Sequence, residues 1–183
     1  MLITGVDGSP TGRGRTLTAV EAVLRGAASE GAAVQSIALA GPDGSWAIDG
    51  ALEAIRGADG FVFGTPVYRA SLAAPLKALL DRLPRGMWGE TEAPLQGRAA
   101  AVVATGASFH HFLALNDLRN VLAGFFAAHV VPPGLYVPRE GYDESGELRD
   151  DYEDLASQQG RALVELSRSL ETSKVLRLLT PQA

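Results

Sequence analysis

The stretch that decides the fold reads DGFVFGTPVYRASLAAPLKALLDRLP and occupies positions 59–84. Asp59–Phe63 is a short apolar run, typical of a strand buried on both faces of a parallel sheet. Leucines then recur along residues 72–83 at the spacing of one helical face. The residues between them, Thr65–Ser71, are predicted to form a loop at the end of the strand. Ligands of open parallel sheets bind beyond the carboxyl ends of the strands, so this loop is a candidate binding segment.

The same alternation of apolar runs and helical patterns extends along the whole chain and indicates βαβ units with a parallel sheet. The predicted strands are Leu2–Val6, Val34–Leu39, Asp59–Phe63, Ala99–Ala104 and Val130–Val137. The predicted helices are Thr16–Glu30, Ala51–Arg56, Leu72–Leu83, Phe109–Ala127 and Glu147–Leu170. Both doubly wound strand orders are compatible with this pattern, and five strands in this length favour the flavodoxin-like order 2-1-3-4-5. We therefore expect an α/β three-layer sandwich, with one domain over residues 1–175 and a C-terminal tail over 176–183.

Composition narrows the class of protein. The 183 residues are 46% hydrophobic and 20% charged, which is enough for one buried core. A net charge of -5 without any basic run argues against a nucleic-acid or membrane binder. The absence of cysteine excludes disulfides, thiolate nucleophiles and cysteine-ligated iron–sulfur clusters. No signal peptide is recognised at the N-terminus, and the apolar region 121–138 is interrupted by prolines, so a cytoplasmic location is predicted.

A loop rich in glycine and hydroxyl groups, Gly8–Thr16, joins the first strand to the first helix. Backbone N–H groups and a helix N-terminus at such a position form an anion site. The loop lacks the Gly-Lys-Ser/Thr ending of a nucleoside-triphosphate loop and the third glycine of a dinucleotide fingerprint. Its side chains, Ser9, Thr11 and Thr16 with Arg15 as a cation, suit a phosphate monoester. A plain surface turn is the alternative.

A third loop, Thr105–Ser108, follows the fourth predicted strand. Taken alone, it is explained by Ser108 capping the next helix. In the order 2-1-3-4-5, however, the loops after strands one, three and four surround one crevice at the point where the strand order reverses. Their convergence predicts a single ligand site. The adjacent His110 and His111 point about 100° apart on a helix, and no third ligand is spaced to join them, so no metal site is predicted.

These motifs resemble those of the NAD(P)H-dependent FMN reductases of flavodoxin-like fold. Within that family, they resemble the branch that supplies reduced flavin to two-component monooxygenases such as those for sulfonates. The resemblance extends from residue 1 to about residue 138. The matching residues are Gly8-Ser9-Pro10 with Arg15-Thr16, Thr65-Pro66-Val67-Tyr68 with Leu76-Lys77 and Leu80-Asp81, and Ala104-Thr105-Gly106 followed by His111, Leu113 and Ala114.

The resemblance implies a set of residues around FMN. Ser9, Arg15 and Thr16, with Thr11 beside them, would bind its phosphate. The flavin and ribityl would lie along Pro66, Val67, Tyr68 and Arg69. The pyrimidine edge would meet Thr105, Gly106 and Ala107. His111 would lie near the flavin. NADPH or NADH would be the hydride donor. Because hydride passes to flavin N5 and the cofactor carries the reaction, no catalytic side chain is predicted.

Two positions depart from the pattern of that branch. Gly14 stands where a hydroxyl residue is common, and the segment Leu115–Leu118 lacks an inserted tyrosine that would produce a π-bulge. Several alternatives stay open at this point: NADPH or NADH, FMN as substrate or as prosthetic group, and a monooxygenase or a quinone-like acceptor. A flavodoxin-like electron carrier without nicotinamide turnover is the second interpretation, and a non-catalytic flavin sensor is the third.

The predicted helix Phe109–Ala127 also bears on assembly. Its apolar residues cover more of the circumference than one buried face requires. A second apolar face predicts contact with another subunit, most simply across a two-fold axis. At least a homodimer is therefore expected, with each flavin near the interface, and dimer and tetramer are both compatible with the pattern.

Overall fold

The computed structural model describes residues 1–41 and 43–181. Its strands are β1 (Leu2–Asp7), β2 (Ala33–Ala38), β3 (Gly60–Tyr68), β4 (Ser71–Leu72), β5 (Ala99–Gly106), β6 (His129–Val130) and β7 (Leu135–Pro138). Its α-helices are α1 (Arg15–Ser29), α2 (Ile48–Arg56), α3 (Ala74–Arg82), α4 (Ala114–Asn120) and α5 (Asp150–Thr172). Short 3-10 turns span Phe109–His111, Arg139–Gly141 and Leu176–Leu178, and a π-helical turn spans Val121–Phe125.

The sheet has the predicted topology. Its order is β2-β1-β3-β5-β6. Strand β7 also pairs with β5, nearer to the carboxyl end of β5 than β6 does. These strands are parallel, whereas β4 pairs antiparallel with β3. Counted along the parallel strands, this is the order 2-1-3-4-5, so the flavodoxin-like prediction is confirmed. Asp7 at the end of β1 lies beside Gly64 of β3, which places the following loop next to the upper part of β3.

Helices cover both faces of the sheet and give two cores. On one face, α1 and α5 pack over side chains such as Ile3, Val62 and Val103. On the other face, α2, α3 and α4 pack over Phe61 and Phe63. Burial on both faces explains why the strands read as nearly continuous apolar runs. The predicted tail, 176–183, starts at the last 3-10 turn, and its residues 182–183 lie outside the described residues.

The predicted loop at Thr65–Ser71 is wrong. Strand β3 continues to Tyr68, and the chain turns through Arg69 and Ala70 into β4. These two turn residues have φ values of 52° and 63°, as expected for a two-residue hairpin whose backbone matches the twist of its strands. Pro66 is tolerated in the strand because β1 ends opposite Gly64, so no strand on that side requires its N–H.

The predicted continuous helix over Phe109–Ala127 is also wrong. The segment starts as a 3-10 turn, becomes α4 at Ala114, and ends in the π-helical turn, where the N–H of Phe126 donates to the carbonyl of Val121. A π-turn therefore exists in this helix without an inserted tyrosine.

The predicted strand Val130–Val137 is split in two. Pro132 and Pro133 lie between β6 and β7, and proline has no N–H to contribute to the ladder with β5. Within residues 1–41 and 43–181, no helix has the length and apolar character needed to cross a membrane.

Candidate active site

A cavity of about 430 Å³ opens at the carboxyl ends of β1, β3 and β5. It is lined by Ser9, Thr11, Arg13, Arg15, Thr16, Pro66, Val67, Tyr68, Thr105, Gly106, Ala107 and Arg139. All of the predicted site residues except Arg69 and His111 are in this lining. Arg69 lies in the hairpin turn, and His111 lies in the 3-10 turn before α4. The three predicted segments, after β1, at the end of β3 and at the end of β5, thus meet at one cavity, as their place in the sheet order requires.

Hydroxyl groups organise the first loop from within. The Ser9 and Thr11 hydroxyl oxygens are 3.0 Å apart, and the Thr11 N–H donates to the Ser9 oxygen at 3.3 Å. The Thr11 hydroxyl donates to the Arg13 carbonyl at 3.0 Å. At the start of the loop, the Ser9 N–H donates to Oδ1 of Asp7 at 2.9 Å. The loop is therefore held in one shape by its own side chains.

Helix α1 points an uncapped N-terminus at the cavity. Its N-cap residue, Gly14, makes no side-chain hydrogen bond, and no acidic residue lies in the first turn. The first N–H groups of the helix therefore have no capping side chain and carry the positive end of the helix dipole. Gly14 has φ 106° and ψ -156°, a conformation that side chains rarely adopt. This backbone requirement explains the glycine at the position where a hydroxyl residue is common.

Two longer-range contacts fix this helix end. The hydroxyls of Thr16 and Thr105 are 2.8 Å apart, which connects α1 to the end of β5. The Tyr142 hydroxyl donates to the Arg15 carbonyl at 2.7 Å, and the Arg15 guanidinium lies 5.5 Å from the centre of the Tyr142 ring. Burial raises the pKa of Tyr142, so this hydroxyl stays protonated as a donor.

The hairpin of β3 and β4 forms the second wall. The buried Thr65 accepts the Ala73 N–H at 3.0 Å, which fixes the hairpin to the residue before α3. Tyr68, near the hairpin tip, is 52% exposed and has no place in the core. On the third wall, the Tyr136 hydroxyl donates to the Ser108 carbonyl at 2.6 Å, and a Cβ at Gly106 would collide with that hydroxyl. The backbone at Gly106 therefore accepts no larger residue without displacing Tyr136.

With this geometry in hand, comparison with known proteins is decisive for the family. A family model described as NADPH-dependent FMN reductase matches residues 1–142. The chain belongs to this family.

Curated relatives carry matching names. An NAD(P)H-dependent FAD/FMN reductase of Geobacillus thermodenitrificans is 29% identical over 99 residues, 54% of this chain and 50% of that protein. The NADH-dependent FMN reductase SfnF of Pseudomonas putida is 37% identical over 93 residues, 51% of this chain and 46% of that protein. The chain thus spans about half the length of these relatives.

Solved structures agree on the fold. The apo form of an NADH:FMN oxidoreductase, EmoB, is similar with a TM-score of 0.71 and 29% identity, and the comparison covers 96% of this chain and 93% of that one. An archaeal flavodoxin is similar with a TM-score of 0.65, 19% identity and coverage of 92% and 99%. At that identity the flavodoxin shows the shared fold alone.

The cavity of this family member is lined by groups that suit a phosphate monoester. An uncapped helix N-terminus, hydroxyl groups and three arginines, Arg13, Arg15 and Arg139, surround the space. Arg13 and Arg139 were missed from sequence. Arg13 lies inside the predicted loop, between two glycines, and its charge was the available signal. Arg139 follows β7, which ends at the same edge of the sheet as β5.

Asp7 is the third residue that sequence reasoning missed, because the predicted first strand ended at Val6. Its side chain is fully buried, and its Oδ2 atom has no hydrogen-bond partner. Burial, and to a smaller extent the charge of Glu21, raise the pKa of Asp7 to about 6, against the lowering effect of the Ser9 N–H. A buried carboxyl group that titrates near neutrality therefore lies two residues before the lining residue Ser9.

Proposed function

We propose that this protein is an NAD(P)H-dependent FMN reductase, in which hydride passes from a nicotinamide to FMN. The observation that carries the proposal is the cavity that joins an anion site on the first loop to the ends of β3 and β5, in a chain of the NADPH-dependent FMN reductase family. When bound, FMN supplies a ring that accepts hydride at N5. The protein is left to bind, orient and shield that ring.

We assign the following roles to the predicted site residues. Ser9, Thr11, Arg15 and Thr16, with the first turn of α1, hold the phosphate. Pro66, Val67 and Tyr68, with Arg69 at the hairpin turn, flank the flavin and ribityl. Thr105, Gly106 and Ala107 face the pyrimidine edge, and His111 lies near the flavin. No side chain is assigned a proton-transfer step, because hydride transfer to a flavin requires none.

Arg15→Ala tests the anion site. Loss of a charged hydrogen-bond donor costs about 1.5–3 kcal/mol, so FMN affinity should fall roughly ten- to a hundredfold. Riboflavin, which lacks the phosphate, should lose little affinity. Arg25→Ala is the matched control, since Arg25 is also on α1 but pairs with Glu153 outside the cavity. Equal weakening of FMN and riboflavin by Arg15→Ala would rule out this phosphate site.

Rapid mixing tests the reaction itself. The FMN-loaded protein should lose its oxidised flavin absorbance within seconds of adding NADPH or NADH, and C4-deuterated nicotinamide should slow that step. Tyr68→Ala should impair this step or flavin retention while the fold stays intact, because Tyr68 is half exposed at the hairpin tip. If neither nicotinamide reduces a fully loaded sample, the flavodoxin-like electron carrier replaces the reductase as the better interpretation.

We also propose at least a homodimer. Phe109, Phe112 and Leu113 are 60%, 53% and 59% exposed on the segment before α4, and Phe125 on the π-turn is 45% exposed. An exposed apolar group of this kind is typical of a subunit interface. Sedimentation of a monomer at micromolar concentration would contradict it.

The sequence resemblance further supports a two-component monooxygenase as one recipient of reduced flavin. The cytoplasmic location stays a prediction.

A further inference from the structure

Asp7 combines three properties that bear on the anion site beside it. It is 0% exposed, its Oδ1 atom accepts the Ser9 N–H at 2.9 Å, and its Oδ2 atom has no partner. Ser9 in turn lines the cavity and bonds to Thr11. The carboxyl group is therefore joined to the anion loop by one hydrogen bond. A buried carboxylate with an unpartnered oxygen is unfavourable when it is charged.

The groups around Asp7 supply no compensating cation. Its neighbours in the sheet are Ala38 in β2 and Gly64 in β3, which are uncharged. On α1, Glu21 acts on it with a like charge. Among the described residues, no ion pair reaches Asp7. The nearby cations line the cavity instead: Arg13 and Arg15 in the first loop, and Arg139 after β7. From the connection between β7 and α5, the hydroxyl of Tyr142 contacts the Arg15 carbonyl.

A phosphate monoester in the cavity would add negative charge close to this group. Two like charges in a site shielded from water disfavour one another, and the proton goes to Asp7, which faces no cation, because arginines line the phosphate's side of the site. We propose that Asp7 is a positioning residue that works as a neutral carboxylic acid, which holds the Ser9 amide and takes up one proton from solvent when a phosphate monoester binds. This inference rests on the proposed function, since it takes the FMN phosphate as the ligand of the loop.

The direction of the pH effect follows from the group's ordinary and folded pKa values. Burial raises the pKa of Asp7 to about 6, so the group is already neutral at pH 5 and binding requires no proton there. Above pH 6, the fraction of protein with neutral Asp7 falls about tenfold per pH unit, and apparent FMN affinity falls with it. The FMN phosphate has a second ionisation near pH 6 of its own. A variant that keeps the FMN titration and removes that of Asp7 separates the two effects.

Asp7→Asn is that variant, because an amide oxygen still accepts the Ser9 N–H and cannot ionise near neutrality. FMN dissociation constants are measured from pH 5 to pH 8.5 by flavin fluorescence, with riboflavin beside each point. The wild-type protein and Asp7→Asn should bind FMN about equally at pH 5, and Asp7→Asn should bind FMN roughly a hundredfold more tightly at pH 8. For riboflavin, the ratio of the two proteins should not change with pH. Asp59→Asn, at the other end of the sheet, is the matched control and should follow the wild type.

A second measurement uses only the wild-type protein and so does not depend on the variant folding. Calorimetric titration with FMN at pH 7, in two buffers of different ionisation enthalpy, should show uptake of roughly one proton, and titration with riboflavin should show none. A ratio between Asp7→Asn and wild type that is constant over pH, or no proton uptake with FMN, would overturn the role of Asp7. Absence of FMN binding at every pH would instead overturn the proposed function, so the two failures are distinct.

Discussion

Two aspartates at opposite ends of the sheet have opposite surroundings. Asp59, just before β3, is about one-third exposed. Its carboxylate accepts hydrogen bonds from the Leu2 N–H at 2.8 Å and from the Arg98 guanidinium at 3.2 Å. It also lies 4.0 Å from the N-terminal amino group. Asp7, at the end of β1, is fully buried with one hydrogen bond and no cation. Unfavourable groups persist at functional sites where the rest of the structure holds them. The carboxyl end of the sheet is thus arranged for a ligand, and the amino end for stability.

The largest effect that tests this contrast is on stability at high pH. The pKa of Asp7 is raised from an ordinary 3.8 to about 6 in the folded protein. Stability from the neutral group is fully present below pH 3.8 and is lost as pH rises through about 6. Asp7→Asn removes this loss, so its free energy of unfolding should exceed the wild-type value by about 2–3 kcal/mol at pH 8 and by little at pH 4.

Urea unfolding at pH 4, 6 and 8 measures this difference directly. Asp59→Asn serves as the comparison, and its effect should be small and of the opposite sign at pH 8, because it removes the ion pair with Arg98. A difference between Asp7→Asn and wild type that is the same at pH 4 and pH 8 would show that the two ends of the sheet do not differ in this way.

A smaller effect is expected from the backbone at the amino end. Gly97 has φ 65°, and a Cβ there would lie 2.5 Å from the carbonyl oxygen of Arg177 in the tail. Gly97→Ala should lower the free energy of unfolding by about 1–2 kcal/mol from the left-handed backbone alone, with a further loss from displacing the tail. Gly50→Ala in α2, where nothing lies within 4 Å, should instead raise it by about 0.5–1 kcal/mol.

Thermal unfolding of the full chain and of a chain ending at residue 174 separates the two contributions. Removal of the tail should leave Gly97→Ala with only the backbone part of its cost. If the cost is the same in both chains, the tail does not pack against residue 97 in solution.

The smallest effect is expected from the ion pair of Arg98 and Asp59. Both side chains are about one-third exposed, and exposed pairs contribute roughly 0–1 kcal/mol. Arg98→Ala should therefore lower the free energy of unfolding by less than about 1 kcal/mol, and added salt should reduce the difference further. A loss of about 2–3 kcal/mol, as large as the gain expected for Asp7→Asn, would mean that the amino end also depends on a strongly coupled charge.

The sequence was a good guide where periodicity carries the information. Alternating strand and helix patterns predicted the sheet order, and the sheet order placed three loops at one cavity. It was a poor guide where a polar or proline residue ends a pattern. Pro66 made a strand look like a loop, the proline pair at 132–133 made two strands look like one, and the polar Asp7 cut the first strand short at Val6. Arg139 was missed because only the loops after strands one, three and four were assigned to the crevice, and the segment after the fifth strand was left out.

The hydroxyl contact between Thr16 and Thr105 joins residues that are 89 positions apart, and the contact between Tyr142 and Arg15 spans 127 positions. Contacts that close such long loops form after local structure, because their entropy cost must be offset by many other contacts. During synthesis, the loop Gly8–Thr16 and α1 therefore leave the ribosome long before the segments that complete the cavity. We therefore expect the cavity to be complete only after these two distant segments have docked on α1.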